Sequence, residues 1–385
     1  MSRESLITKY FKEGFTYNEI VNFLFKYHNI SISRRHLIRI LQKLGLKRKG
    51  IVEDSLESIC RAVIDEIFSG GSCIGYKRMW QRLRLIYGLK VKRSTVDKIL
   101  HLADPNAIEE RSRRRLIRRK YPVPGPNFLW HIDGYDKLKP FGFAIHGCID
   151  GFSRKILWLD VATSNNKPEI IAYYYLTTVQ KLKLVPTLIR SDYGTENCLV
   201  EALQQSLRFY HDDSLSAWKS FIKGKSTSNQ RIESYWSQLR RHGLDFWINL
   251  FKDLRERGLY NDSSMIHVEC LRFCFGHLIR AELETIRHEW NRHRIRKQKN
   301  RHIAPGKPNC LYYLPEVIGA KDYMKPVNEH AIDILKQDYT LKPKLYNEIF
   351  CQLVKVLIPD IQVPLNVEES VELYLQILNL LKVYT

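Results

Sequence analysis

The chain of 385 residues carries 62 Lys and Arg against 41 Asp and Glu, a formal net charge of +21, and is 44% hydrophobic. That length exceeds one ordinary core and predicts about two to four domains, and the positive excess predicts a polyanionic partner, because neutralised phosphates release their counterions. No apolar run reaches membrane-spanning length, no N-terminal stretch resembles a signal peptide, and the eight cysteines include no CxxC pair, so a soluble, intracellular protein without membrane association is expected.

The charge is concentrated early: residues 1–126 hold 27 Lys and Arg against 12 Asp and Glu, a surplus of 15 out of 21. Residues 1–50 read as three short helices with helix-turn-helix spacing. Thr16 and Glu19 form a capping box, and the third helix runs from about Arg34 to Lys43. Its Leu37, Leu41 and Leu44 fall on one face, while Arg35, Arg39, Gln42 and Lys43 share the other, the arrangement a major-groove reader needs; Arg34 opens the same helix. A second helix-turn-helix-like module, residues 51–105, has an apolar stripe of Ile59, Val63, Ile64, Ile67 and Phe68, a core Trp80, and a last helix capped by Ser94 and Asp97.

Residues 106–126 form a basic linker whose Arg113, Arg114, Arg118 and Arg119 suit a phosphate backbone or a nuclear-import address, followed by prolines that forbid regular structure. From Phe128 the periodicity changes to strand-length apolar runs, FLWHID, GFAIHGCID, KILWLDVAT and VPTLIRSD, with helices after the third and fourth, an order of βββαβα within a segment of residues 127–302. Asp133 and Asp192 each end one of these runs, and Glu233 lies in the helix-like SNQRIESYWSQLRR. Three carboxylates from two strand ends and one helix suit a pair of hard divalent cations set against a phosphate.

These residues carry a resemblance. Trp130-His131-Ile132-Asp133, Asp150-Gly-Phe-Ser-Arg154, Ser191-Asp192-Tyr-Gly-Thr-Glu196-Asn197 and Asn229-Gln-Arg-Ile-Glu233 together resemble the integrase core of the retroviral integrase and DDE transposase superfamily, over about Pro126 to Arg301. The resemblance implies an α/β fold, a ribonuclease H-like mixed sheet flanked by helices, preceded by the helix-turn-helix modules and followed by a small helical tail. It also implies that Asp133 bridges two Mg2+ or Mn2+ ions, with Asp192 and Glu233 completing one site each, and that double-stranded DNA is cut and joined by in-line displacement. A homo-oligomer engaged on DNA and, in a eukaryote, a nuclear location are further expectations. The His/His/Cys/Cys zinc module of retroviral enzymes has no counterpart here, and 40 residues separate Asp192 from Glu233, more than the retroviral spacing. An enlarged flap over about Arg208 to Ser228 would absorb the difference.

Asp150 competes for the first ligand position, but its GFSR neighbours read as a hairpin turn and give it a capping role. Asn229 and Arg231 are expected to position substrate phosphates, and Trp236 to anchor its helix in the core. His267, Cys270, Cys274 and His277 are strung along one helix, cannot converge on one tetrahedral ion, and are expected as core. The basic run of residues 289–302 reads as helical, and residues 303–385 as a separate C-terminal region with two helix-like runs. The alternatives to a DNA integrase or transposase are a catalytically silent DNA-binding scaffold derived from one, and a ribonuclease H-type nuclease, against which the helix-turn-helix modules speak.

Overall fold

The structure, a computed structural model, describes residues 2–47, 52–69, 74–103, 123–296 and 304–382. The chain divides into two compact units, one of residues 1–122 and 289–320, the other of residues 123–288 and 321–385. The basic linker, with Arg113, Arg114, Arg118 and Arg119, lies outside the described residues.

The first unit begins with α1 (Arg3–Lys12), α2 (Tyr17–His28) and α3 (Arg34–Lys43). The capping box of α2 is present: Thr16 Oγ1 accepts from the Glu19 amide at 3.3 Å, and the Glu19 carboxylate accepts from the Thr16 amide at 2.6 Å. Ile7, Ile20, Leu24 and Leu37 have no exposed surface, and burial of each such side chain contributes about 2 kcal/mol. Leu44 departs from its expected place. It is the C-cap of α3 and is exposed, while Ile40, one turn from Leu37, fills the core position instead.

In α4 (Leu56–Ile67), α5 (Tyr76–Leu85) and α6 (Arg93–Ala103) the buried stripe of α4 is Ile59, Ala62, Val63 and Glu66. Ile64 and Phe68 are exposed, because the stripe is narrower than the apolar residues available to it. Ser94 lies inside the first turn of α6 rather than at its cap. Trp80 packs on this core as expected, its indole N–H donating to the Val91 carbonyl at 2.8 Å. Arg82 is buried between the carboxylates of Glu66 and Glu289, at 2.5 and 2.9 Å. The basic run is helical only to Arg292, after which Ile295 bridges Gly306; residues 297–303 are outside the described set.

The second unit holds β1 (Leu129–Tyr135), β2 (Ala144–Asp150), β3 (Ile156–Ala162), α7 (Pro168–Leu182), β4 (Leu188–Ser191), α8 (Cys198–Leu207), β5 (Phe221–Lys223), α9 (Gln230–Leu239), α10 (Asp245–Glu256) and α11 (Met265–Arg292). The last turn of α11 is counted with the first unit. The sheet order is β3-β2-β1-β4-β5, antiparallel among the first three and parallel from β1 to β5. This is the ribonuclease H-like α/β arrangement that the resemblance implies. β1 is central and buried on both faces, which is why its sequence is nearly continuous in apolar residues. Trp130 and Ile132 join the core with α7 and α8 residues such as Tyr175 and Leu203, while His131, Asp133 and Tyr135 alternate onto the other face. The segment expected as a flap is, over Phe221–Lys223, the fifth strand of the sheet, with Gly224 N donating to the Ser191 carbonyl.

Residues 321–382 fold with this unit rather than as a separate region. A two-residue ladder pairs Leu184–Val185 with Lys325–Pro326. α12 (Glu329–Tyr339) then packs on α7, with Gln180 Nε2 donating to Asp333 and Ile332 fully buried. α13 (Glu348–Leu357), which lies between the two helix-like runs expected of the tail, precedes α14 (Val367–Lys382), whose Tyr374 hydroxyl donates to the Leu259 carbonyl at 2.9 Å. Among the described residues no helix is long and apolar enough to cross a membrane.

Candidate active site

Asp133 is the fifth residue of β1, and Asp192 directly follows β4. The parallel register pairs His131 with Arg190, so carrying it on by two places sets Asp133 level with Asp192. Glu233 sits in the first turn of α9, which packs on β1 and β2 across the sheet face that carries Asp133. One strand end, one strand and one helix thus meet; β1 runs on to Tyr135, so Asp133 lies inside its strand rather than at the end expected of it.

The charges of Asp192 and Glu233 act on Asp133, and that of Asp192 acts on Glu233. Burial, with only 9% of Asp133 exposed, pushes its carboxyl up to about 8. The Trp236 indole opposes that shift by favouring the charged form, while the charges of Glu233 and Asp192 reinforce it. Glu233 is raised by its own burial and then by Asp192. Glu196 is raised by burial and by Asp192 and Asp136, which adds a half-buried acid to which its motif alone assigns no role. Crowded carboxylates are costly without counter-charge. Among the described residues, however, no group of three or more His, Cys, Asp or Glu side chains is disposed as it stands to hold a metal ion.

Asn229 has a different place from the phosphate-binding one expected of it. It is 1% exposed, its Nδ2 donates to the Ile132 carbonyl at 2.8 Å, and its Oδ1 faces His131 Nδ1 at 2.7 Å. Both ends of its amide serve the junction of β1 and α9. His131 is neutral there, pushed down to about 3 by burial and by the nearby Arg231 and Arg190 charges, against the opposing bond to Asn229. Arg231 is half-buried beside this junction.

Trp236 anchors α9 as expected and has a second role that its spacing does not reveal: its Nε1 donates to Asp133 Oδ2 at 2.8 Å. The only sequence signal is its position three residues after Glu233, which puts both on one side of the helix. Asp150 is a turn cap, as its GFSR neighbours predict. Its Oδ2 accepts from the Ser153 amide and hydroxyl, each at 2.7 Å, and its Oδ1 from the Asn127 amide at 2.9 Å. Cys270 and Cys274 are buried with thiols raised by burial, His267 bonds the Tyr374 hydroxyl and His277 the Pro364 carbonyl, so that helix face is core.

In the first unit, Arg34, Arg35, Arg39 and Lys43 of α3 are all exposed, and Gln42 with them. The helix presents the basic outer face that its spacing predicts, and its surface carries no acidic residue.

A family model described as an integrase core domain matches residues 120–313, half of the chain. No curated protein matches the chain.

Proposed function

The chain belongs to the integrase core domain family, and from that membership we propose that it is a polynucleotidyl transferase that cuts and joins DNA ends at Asp133, Asp192 and Glu233. The observation that carries the reading is the convergence of these acids: the parallel register sets Asp133 level with Asp192, Glu233 lies on the helix packed over that face, and the Asp133 and Glu233 carboxyls are both raised. The donor set fits Mg2+ or Mn2+: all-oxygen and anionic. Asp133, Asp192 and Glu233 would hold two ions, which when bound stabilise charge on the attacking and leaving oxygens of a phosphate displacement.

The remaining steps fall to the protein. The Asn229 amide fixes the start of α9 to the end of β1, so Glu233 is carried on a frame tied to the strand of Asp133. Burial of Asp133 keeps its carboxylate from bulk water. Arg34, Arg35, Arg39 and Lys43 supply exposed charge for a duplex, and two chains engaged on DNA would pair two ends.

The test is a gel assay of cut and joined products on a panel of terminal-repeat DNAs with Mn2+. Asp133→Ala, Asp192→Ala and Glu233→Ala should each abolish both products while leaving DNA binding nearly unchanged. A wild type inert on every DNA, with binding intact, would overturn catalysis in favour of a silent DNA-binding scaffold.

A further inference from the structure

Asp133 pairs across the β1–β2 ladder with Gly147, so the two share a sheet face. A Cβ on Gly147 would lie 2.7 Å from Cη2 of Trp236, nearer than carbon atoms approach. The indole therefore occupies the space that a side chain at this position would fill. From there its N–H reaches Oδ2 of the cross-strand partner, Asp133, at 2.8 Å. The ring is 5% exposed and lies against Tyr135, the next residue of β1 on that face, at 5.4 Å between centroids. Helix, ring slot and carboxylate thus form one packed unit, with Glu233 one turn before Trp236 on α9.

We propose that Trp236 is the positioning residue that fixes the Asp133 carboxylate for a cation, and that the missing side chain at Gly147 is what admits it. The inference rests on the metal-dependent reading above. An indole is suited to this place by its chemistry. It donates one hydrogen bond in a fixed direction, carries no charge that would compete with the cation, and offers no lone pair to ligate one. A lysine or arginine would orient the same oxygen but would neutralise it. The hydrogen bond also ties two ligands together: Trp236 and Glu233 share α9, and the oxygen that the indole holds belongs to the strand of Asp133.

The experiment uses the full-length chain. Trp236→Phe keeps an aromatic ring in the slot and loses the N–H; Gly147→Ala keeps the N–H and crowds the ring. Calorimetry with Mn2+ should show affinity reduced about 10- to 100-fold in Trp236→Phe, the range for loss of a group that orients a ligand. Gly147→Ala should weaken Mn2+ in the wild-type background and have little further effect in Trp236→Phe, whose smaller ring leaves room for the methyl. Cleavage by Trp236→Phe should recover as Mn2+ is raised, whereas a merely structural defect would lower the melting temperature and would not respond to metal. In the metal-free protein with nitrogen-labelled indoles, the resonance missing from Trp236→Phe should move on Asp133→Asn substitution. A wild type that binds Mn2+ no better than Trp236→Phe sinks the role of Trp236 alone. A wild type that binds no Mn2+ sinks the metal reading and this role with it, while the indole resonance still decides whether the pair forms.

Discussion

His131 Nδ1 and Asn229 Oδ1 lie 2.7 Å apart in full burial, and because the Asn229 amide nitrogen donates to Ile132, the oxygen is left to accept from the imidazole. The bond fixes the histidine as the Nδ1–H tautomer and staples the start of α9 to β1. Asn229→Ala removes the bond to His131 and the bond to the buried Ile132 carbonyl and should cost about 1–3 kcal/mol. Urea unfolding should show a lower midpoint with an unchanged slope; a midpoint like that of wild type would contradict the staple.

Burial holds both His131 and His146 neutral, pushed down from 6.5 to about 3. Their unfolded forms take up a proton below pH 6.5 and the folded forms do not, so the stability each contributes is complete above 6.5 and is lost as pH falls toward 3. Each share is about 1.4 kcal/mol per pH unit in that window. His146→Gln should therefore show a stability curve shallower than wild type by about that slope between pH 6 and 4. Parallel curves would show that His146 is protonated in the fold.

Asp133 runs the other way. Its acid is raised from 3.8 to about 8, so the stability it contributes is present below 3.8 and is lost as pH rises toward 8. A cation must displace the proton it retains at neutral pH, so Mg2+ or Mn2+ affinity should climb as pH rises to about 8, with proton release seen as a buffer-dependent heat in calorimetry. Asp192→Asn should lose most of the affinity at any pH; equal binding by mutant and wild type would remove Asp192 from the ligand set.

The turn cap provides the control. Asp150 accepts three hydrogen bonds through two oxygens, and an asparagine has only one oxygen to offer. Asp150→Asn should lose about 1–3 kcal/mol of stability and retain DNA cleavage per folded molecule. A well-folded but inert Asp150→Asn would mean that the first ligand has been misplaced.

The basic face of α3 predicts salt-sensitive DNA binding. Replacing Arg35 and Arg39 with Ala should weaken binding at low salt and flatten the log–log salt dependence by about 2 units, close to one for each phosphate that keeps its counterion. An unchanged slope would place the duplex elsewhere on the chain.

Central strands are legible in the sequence because a strand buried on both faces must be apolar throughout; Asp192 directly follows β4 where that apolar run ends, whereas β1 runs on two residues past Asp133 to Tyr135. β5 is not legible: three residues are too few for any period, and its strand character comes from the ladder with β4. α13 is amphipathic, with Phe350 and Val354 buried, but its ten residues also expose Ile349 and Val356, and it is not among the two helix-like runs expected of the tail. The anchoring of Trp236 follows from helical spacing. Its bond to Asp133 does not, since it depends on an absent side chain at Gly147, which is distant in sequence and adjacent only through strand register. Asn229 departs from expectation for a similar reason: a polar residue at a helix start close to Glu233 looks solvent-facing until the strand it touches is known.

The family match ends at residue 313, yet Ile332 completes the core shared by Trp130 and Ile189, and Tyr374 closes over α11 from still further along. Synthesis is vectorial. Every acid of the candidate site has therefore left the ribosome before the helices that seal its own unit are translated, and the nascent chain exposes the α7 surface until α12 arrives. Co-translational folding of this unit cannot finish domain by domain from the N-terminus, and a chain truncated at the edge of the family match would carry all three carboxylates on an open core.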